Sequence, residues 1–247
     1  MSTDHWLSLP DAATINTRPF ALTQRALGDM VDHQMLGAFY GDAGLGKTFA
    51  VAHAASHQTS ARRLWITAGV KPTMKQLIRA VLREVTDMDH QGERFTLRQT
   101  LIDLLAEDRF LLVVDEAQRL NLECIETLRD LHEQAPFALA FVGGNGCYEE
   151  LRKYPMLRSR TQRWIAFTPM DLPQVLNVLP RFHPILAQAS PDVLALVDDA
   201  FAHGNWRAWA SFTHAAAGLC REHCRDQVDE TIARNAIALI AGGHPAS

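Results

Sequence analysis

No part of this chain restricts its fold more than Gly41-Asp-Ala-Gly-Leu-Gly-Lys-Thr48. The segment fits G-x-x-x-x-G-K-[ST] at every fixed position. An apolar run, Met35-Leu-Gly-Ala-Phe-Tyr40, precedes it, and helical spacing follows to about His57. Gly41, Gly44 and Gly46 permit backbone angles that a Cβ would block, so successive N–H groups can wrap phosphate oxygens at a helix N-terminus. Asp42, Ala43, Leu45 and Phe49 are expected to border the bound nucleotide, with Lys47 reaching its β- and γ-phosphates. Thr48 is expected to bind Mg²⁺ through its hydroxyl.

Such a loop requires carboxylates nearby, and Phe110-Leu-Leu-Val-Val-Asp-Glu116 supplies them at the end of a continuous apolar strand. Two acids beside two phosphates repel one another unless a divalent cation lies between them. Asp115 is therefore expected in the Mg²⁺ shell and Glu116 beside the attacking water, which it would orient and polarise. There is no Asn-Lys-x-Asp guanine reader, no Leu-Ser-Gly-Gly transporter signature and no second motor domain of the kind two-lobed helicases use. ATP is favoured by that elimination.

Elsewhere the chain alternates. Helical spacing over Ala21–His33, Thr73–Val85, Thr96–Glu107 and Leu122–Gln134 is interleaved with strand-like runs at Arg62–Ala68, Phe110–Val114, Phe137–Val142 and Gln162–Phe167. Near-continuous apolar strands between helices predict a mostly parallel sheet covered on both faces. After Pro169 only helices are expected, at Leu172–Leu179, Pro191–Ala202, Trp206–Arg225 and Val228–Ala241. The predicted organisation is a polar arm over residues 1–20, an α/β nucleotide-binding domain over 21–170 and a small all-helical lid over 171–247. The 247 residues hold one such module and little more.

No apolar stretch approaches the roughly 20 residues of a membrane-spanning helix. Met1–Pro10 has neither a basic start nor an apolar core, so no secretory signal and a cytoplasmic location are expected. Four irregularly spaced cysteines agree with a reducing compartment. His214, Cys220, His223 and Cys224 share one segment, but without a Cys-x-x-Cys knuckle they are read as structural, with buried thiols, rather than as a zinc site. Trp206 and Trp209 are expected to pack the lid.

The nucleotide loop, the Asp115-Glu116 strand, Leu157-Arg-Ser-Arg160, the helical C-terminal piece and Gly204-Asn-Trp-Arg207 together resemble an AAA+ ATPase over about residues 18–241. That resemblance implies four further roles. Asn145, after Phe141-Val-Gly-Gly, senses the γ-phosphate. Arg160 acts in trans as an arginine finger, with Arg158 and Arg163 as competitors, so hydrolysis depends on homo-oligomeric assembly. Arg207 reaches the nucleotide from the lid. Phe20, in Thr17-Arg-Pro-Phe20, lies near the adenine. Asp115-Glu-Ala-Gln-Arg-Leu120 followed by Leu128-Arg-Asp-Leu-His-Glu133 looks like the DNA-transposition ATPases of the Mu B, TniB and TnsC kind. Those assemble as rings or filaments on double-stranded DNA and direct a transposase to its target. ATPases of the ExeA secretion kind carry a similar segment and imply the alternative, an ATP switch acting on protein partners.

The net charge of -4 hides strong segregation. Residues 43–83 carry seven basic residues and no acid, and residues 151–170 carry five and no acid. Fifteen acids face five basic residues in 84–150. Lys71, Lys75, Arg79 and Arg83 recur every four residues, a spacing that on a helix makes one cationic stripe able to follow a phosphate backbone without reading bases. The sharpest expectation concerns Glu116. Glu116→Gln should bind ATP with parental affinity while turnover falls at least ~100-fold, the scale of a lost general base; retained turnover in a phosphate-release assay would remove Glu116 from that role.

Overall fold

The computed structural model describes residues 9–153 and 155–242. Residues 1–8 of the expected arm and 243–247 of the expected lid lie outside it. Five strands, β1 (Leu36–Tyr40), β2 (Arg62–Thr67), β3 (Phe110–Asp115), β4 (Ala138–Gly143) and β5 (Thr161–Ala166), form one sheet in the order β2-β3-β4-β1-β5. Every pairing is parallel. β3 and β4 are buried along their whole lengths, which is why Phe-Leu-Leu-Val-Val and Ala-Leu-Ala-Phe-Val read as uninterrupted apolar runs.

Helices α1 (Arg18–His33) and α2 (Lys47–Ser56) pack against β1, β4 and β5. On the other side, α3 (Met74–Thr86), α4 (Arg94–Ala106) and α5 (Leu122–Gln134) join a single apolar cluster with Leu36, Ala38, Leu64, Ile66, Leu112, Val114, Leu139 and Phe141 of the strands. α3 starts sharply because Thr73 and Gln76 form a reciprocal capping box, and it stops where Asp87 turns left-handed at φ 57°. Two short helices absent from the sequence expectation, α6 (Asn145–Lys153) and α7 (Pro155–Arg160), lead from β4 into β5. α6 shows so little apolar pattern because only Cys147 and Leu151 are buried in it.

The chain divides into two compact units. The first holds residues 18–43 and 47–167; the second holds Gly44–Gly46, 168–242 and the described part of the arm. Helices α8 (Leu172–Phe182), α9 (Pro191–Val197), α10 (Trp206–Glu222) and α11 (Glu230–Ile240) build the second unit. Its core centres on Trp209, which is fully buried and meets Phe212 edge-to-face, while Trp206 packs on Phe182. The expected helix Pro191–Ala202 widens into a π turn at Asp198–Ala202, where the Asp198 carboxylate accepts hydrogen bonds from Gly204 N–H at 2.7 Å and Trp209 Nε1 at 3.1 Å. The arm has a core to join. Leu9 is buried among these helices, Ala13 N–H donates to the Phe182 carbonyl at 2.8 Å, and His183 Nε2 bonds the Pro10 carbonyl at 3.0 Å.

Two sequence expectations change here. Cys224 lies past the end of α10, left-handed and exposed, so it shares no helical face with Cys220. Of these two, Cys220 alone is a buried thiol, hydrogen-bonded to the Gln227 carbonyl at 3.4 Å. Lys71 lies before α3 in a left-handed conformation (φ 47°), and Pro72 and the Thr73 cap separate it from the first helical residue, Met74. The four-cation stripe therefore does not run along one helix.

The end of β1 is held against the residue following β5: Phe167 N–H donates to the Tyr40 carbonyl at 2.7 Å, and Gly41 turns away with φ 145°. A Cβ at Gly41 would run into the Phe167 carbonyl oxygen. Gly41→Ala should consequently lower stability by at least ~2 kcal/mol, the cost of a backbone strained in a forbidden region and clashing, and urea unfolding measures it. A parental midpoint would mean that the loop relaxes without cost.

Candidate active site

The strand order sets the site. β4 lies between β3 and β1, so the chain leaving β4 passes between the glycine-rich loop after β1 and the acidic pair ending β3. Tyr40 is in register with Gly143, and Thr67 with Asp115, which aligns these tails at the carboxyl edge of the sheet.

Lys47 opens α2 and is buried; its ammonium donates to the carbonyls of Gly41 (2.8 Å) and Asp42 (2.7 Å). A cation held on the inner side of a loop by carbonyl oxygens is positioned for phosphate oxygens entering the same cradle. The neighbouring Thr48 hydroxyl donates to Asp115 Oδ1 at 3.3 Å, so the two expected Mg²⁺ contacts face one another. The hard oxygen donors of Thr48 and Asp115 suit Mg²⁺, which usually keeps several waters and takes few protein ligands. Burial pushes the Asp115 carboxyl above the usual carboxylate range, and hydrogen bonds from Glu116 N–H and Thr48 act against that shift.

Glu116 is the first residue past β3, and its backbone is left-handed (φ 57°), an uncommon state for a residue with a Cβ. Past this turn its side chain meets Gln118 and Arg119. Gln118 Nε2 donates to Glu116 Oε2 at 2.8 Å, and the Arg119 guanidinium pairs with the same oxygen at 3.1 Å. Neither partner was anticipated from sequence. Asp-Glu-Ala-Gln was legible as a motif, but a 3-10 turn over Ala117–Arg119 is what folds the last two residues back onto Glu116.

Asn145 begins α6, where its Nδ2 donates to Asp42 Oδ1 of the loop at 2.6 Å. The structure thus brings Lys47, Thr48, Asp115, Glu116 and Asn145 together in the first unit. Phe49 lies beside Phe20 of α1 at 6.2 Å, and His53 meets Phe20 edge-on at 5.0 Å. In the second unit, Arg207 N–H donates to the Gly44 carbonyl at 3.0 Å, while Asn205 caps α10 through the N–H groups of Arg207 and Ala208.

The remaining expected cations are spread over the first unit. Arg160 pairs with Glu133, which also accepts from Arg129, and Arg163 pairs with Asp29 at 3.0 Å; Arg158 is exposed. Arg79 and Arg83 both bind Asp89, at 2.7 and 3.1 Å, and their hydrogen bonds hold its carboxyl below the usual range. Lys71 and Lys75 are exposed, and no ion pair with a described residue engages them.

Residues 30–151 match the AAA domain family model AAA_22. Over 119 residues, 47% of this chain, the sequence is 27% identical to the Mu-like prophage FluMu DNA transposition protein B of Haemophilus influenzae. That match spans 40% of the relative's own length. Among solved structures, the Aeropyrum pernix ORC2 protein, in ADPNP and ADP complexes, superposes with a TM-score of 0.67 at 18% identity, covering 92% of this chain and 69% of that one. The Aeropyrum pernix ORC1 protein in complex with DNA superposes with a TM-score of 0.70 at 18% identity, covering 97% and 71%.

The buried Asp115 yields a test that needs no nucleotide. A carboxyl whose folded-state pKa lies above its unfolded value, ~3.9, binds protons more tightly when folded. Its ionisation therefore costs stability, a cost absent below about pH 4 that grows as pH rises toward the folded-state pKa. Asp115→Asn keeps an acceptor for Glu116 N–H and Thr48, and should raise the Tm of the nucleotide-free protein at pH 7, with the gain shrinking as pH falls toward 4. Equal Tm values at pH 7 would contradict this account.

Proposed function

We propose that this chain, an AAA+ ATPase by fold, hydrolyses ATP in assemblies formed on double-stranded DNA and regulates transposition by bringing a transposase to its target. The observation that carries the enzymatic part is the meeting of Lys47, Thr48, Asp115, Glu116 and Asn145 at three adjacent strand ends. In this reading the loop from Gly41 to Thr48 cradles the phosphates, and Phe20 and Phe49 border the adenine. Thr48 and Asp115 would hold Mg²⁺, which would supply charge neutralisation to the phosphates. Glu116 orients and polarises the attacking water, Asn145 senses the γ-phosphate, and Arg207 couples the helical unit to nucleotide.

Arg160 is assigned to a neighbouring copy's site, where its charge stabilises the transferred phosphoryl group in trans. Hydrolysis is then assembly-dependent. The biological side of the proposal rests on the similarity to a DNA transposition protein B. DNA contact is assigned first to Lys71 and Lys75, whose charges no described carboxylate neutralises, and second to Arg79 and Arg83, which must share Asp89. A transposase is the proposed partner. The described residues include no helix long and apolar enough to cross a membrane.

The test is electron microscopy of the full chain with a non-hydrolysable ATP analogue, with and without DNA, joined to salt titration of DNA binding. Rings or filaments should appear on DNA. Lys75→Ala should weaken binding and reduce the salt slope by about 1, with Arg79→Ala having the smaller effect. Assemblies formed equally well without DNA, and no DNA retention at low salt, would replace this reading with an ATP switch acting on proteins.

A further inference from the structure

We infer that Gln118 is a positioning residue for ATP hydrolysis: its side-chain amide orients the Glu116 carboxylate and ties it to the backbone segment that carries Asn145. The inference rests on the water-activating role assigned to Glu116 above.

Gln118 makes two hydrogen bonds of opposite sense. Its Nε2 donates to Glu116 Oε2 at 2.8 Å, and its Oε1 accepts from Gly144 N–H at 2.9 Å. The amide can point only one way, because a carboxylate accepts and a backbone N–H donates. The segment after β4 is shaped around this side chain. A Cβ at Gly143 would collide with Gln118 Oε1 and crowd Cys147, and Cβ atoms at Gly144 and Gly146 would lie at 3.9 and 3.7 Å from Gln118 carbons. Gly143, which no turn type demands at φ above zero, is thereby explained as room for an amide, while Cβ atoms at Gly144 and Gly146 would make only ordinary contact with it.

Beyond Gly144 the path continues. Asn145 Nδ2 reaches Asp42 Oδ1 at 2.6 Å, and Asp42 lends its carbonyl to the Lys47 ammonium. One hydrogen-bonded line therefore runs from the Glu116 carboxylate through Gln118, Gly144 and Asn145 to the phosphate loop. Arg119 holds the same Glu116 oxygen from the other side while also reaching the Ala68 carbonyl. The arginine supplies charge; Gln118 supplies the link to the residue assigned to the γ-phosphate. A shift of Asn145 on nucleotide binding passes to Glu116 through two bonds of this amide.

Two substitutions separate this role from plain packing. Gln118→Glu keeps size and the acceptor for Gly144 N–H, but replaces the donor facing Glu116 with a second carboxylate. ATP turnover by the full chain with DNA should fall at least tenfold at pH 7, ATP affinity should stay within twofold, and the acid limb of the kcat–pH profile should move to higher pH. Gln118→Met loses both bonds; it should lower kcat, shift the acid limb less than Gln118→Glu, and speed hydrogen exchange at the Gly144 amide. Parental kcat and pH profile in Gln118→Glu, with Glu116→Gln inactive, would overturn the role of Gln118 alone. Persistent turnover in Glu116→Gln would overturn the assignment on which it rests. A drop in kcat matched by an equal loss of ATP affinity would reduce Gln118 to a structural contact.

Discussion

Everything assigned to this site depends on β4 pairing in parallel with β1 on one side and β3 on the other. Loop, acidic pair and Asn145 are separated by tens of residues in sequence. They meet because three strands leave the sheet at the same edge, with the tail of β4 between the other two. Parallel strands require crossover helices, and those helices bury both sheet faces. Full burial of β3 is in turn what desolvates Asp115 at its end. The fold that brings these groups together thus also makes one of them costly to ionise.

That cost belongs with two others at the same edge. Glu116 occupies a left-handed backbone state, and Gly41 turns in a region closed to side chains. Such concentrations of strain and buried charge persist where the surroundings over-determine them, and here the surroundings are the most buried strands of the chain. The carboxylates, ammonium and amides are mutually satisfied: Lys47 by loop carbonyls, Asp115 by Thr48 and Glu116 N–H, Glu116 by Gln118 and Arg119, Asn145 by Asp42.

The charge distribution carries the same lesson about pairing. An acid-free window such as residues 43–83 reads as a cationic surface, yet Asp89, just past α3, returns to bind both Arg79 and Arg83. Arg160 and Arg163 likewise find Glu133 and Asp29, the latter on the first helix. Counting charges along a chain measures supply; it does not reveal which cations remain available to a phosphate backbone.

The residues determined by themselves whatever depends on local chemistry or short periodicity. Gly41–Thr48 implied the phosphate loop, the apolar runs implied buried parallel strands, and the helical spacing over Thr73–Val85 and Leu122–Gln134 implied two of the helices that cover the sheet. The weakly patterned α6 and α7 escaped, as did the position of the arm residues Leu9–Thr17 in the second unit, since short amphipathic pieces acquire structure only from what they pack on. Strand order, the left-handed turn at Glu116 and the seat of Gln118 against Gly143 and Gly144 were decided by tertiary structure alone. Each is a contact between segments distant in sequence or folded back on themselves, and no periodicity encodes which strand lies beside which. The motif pointed to a phosphate-binding loop; the packing of β4 between β1 and β3 decided which side chains stand beside that loop.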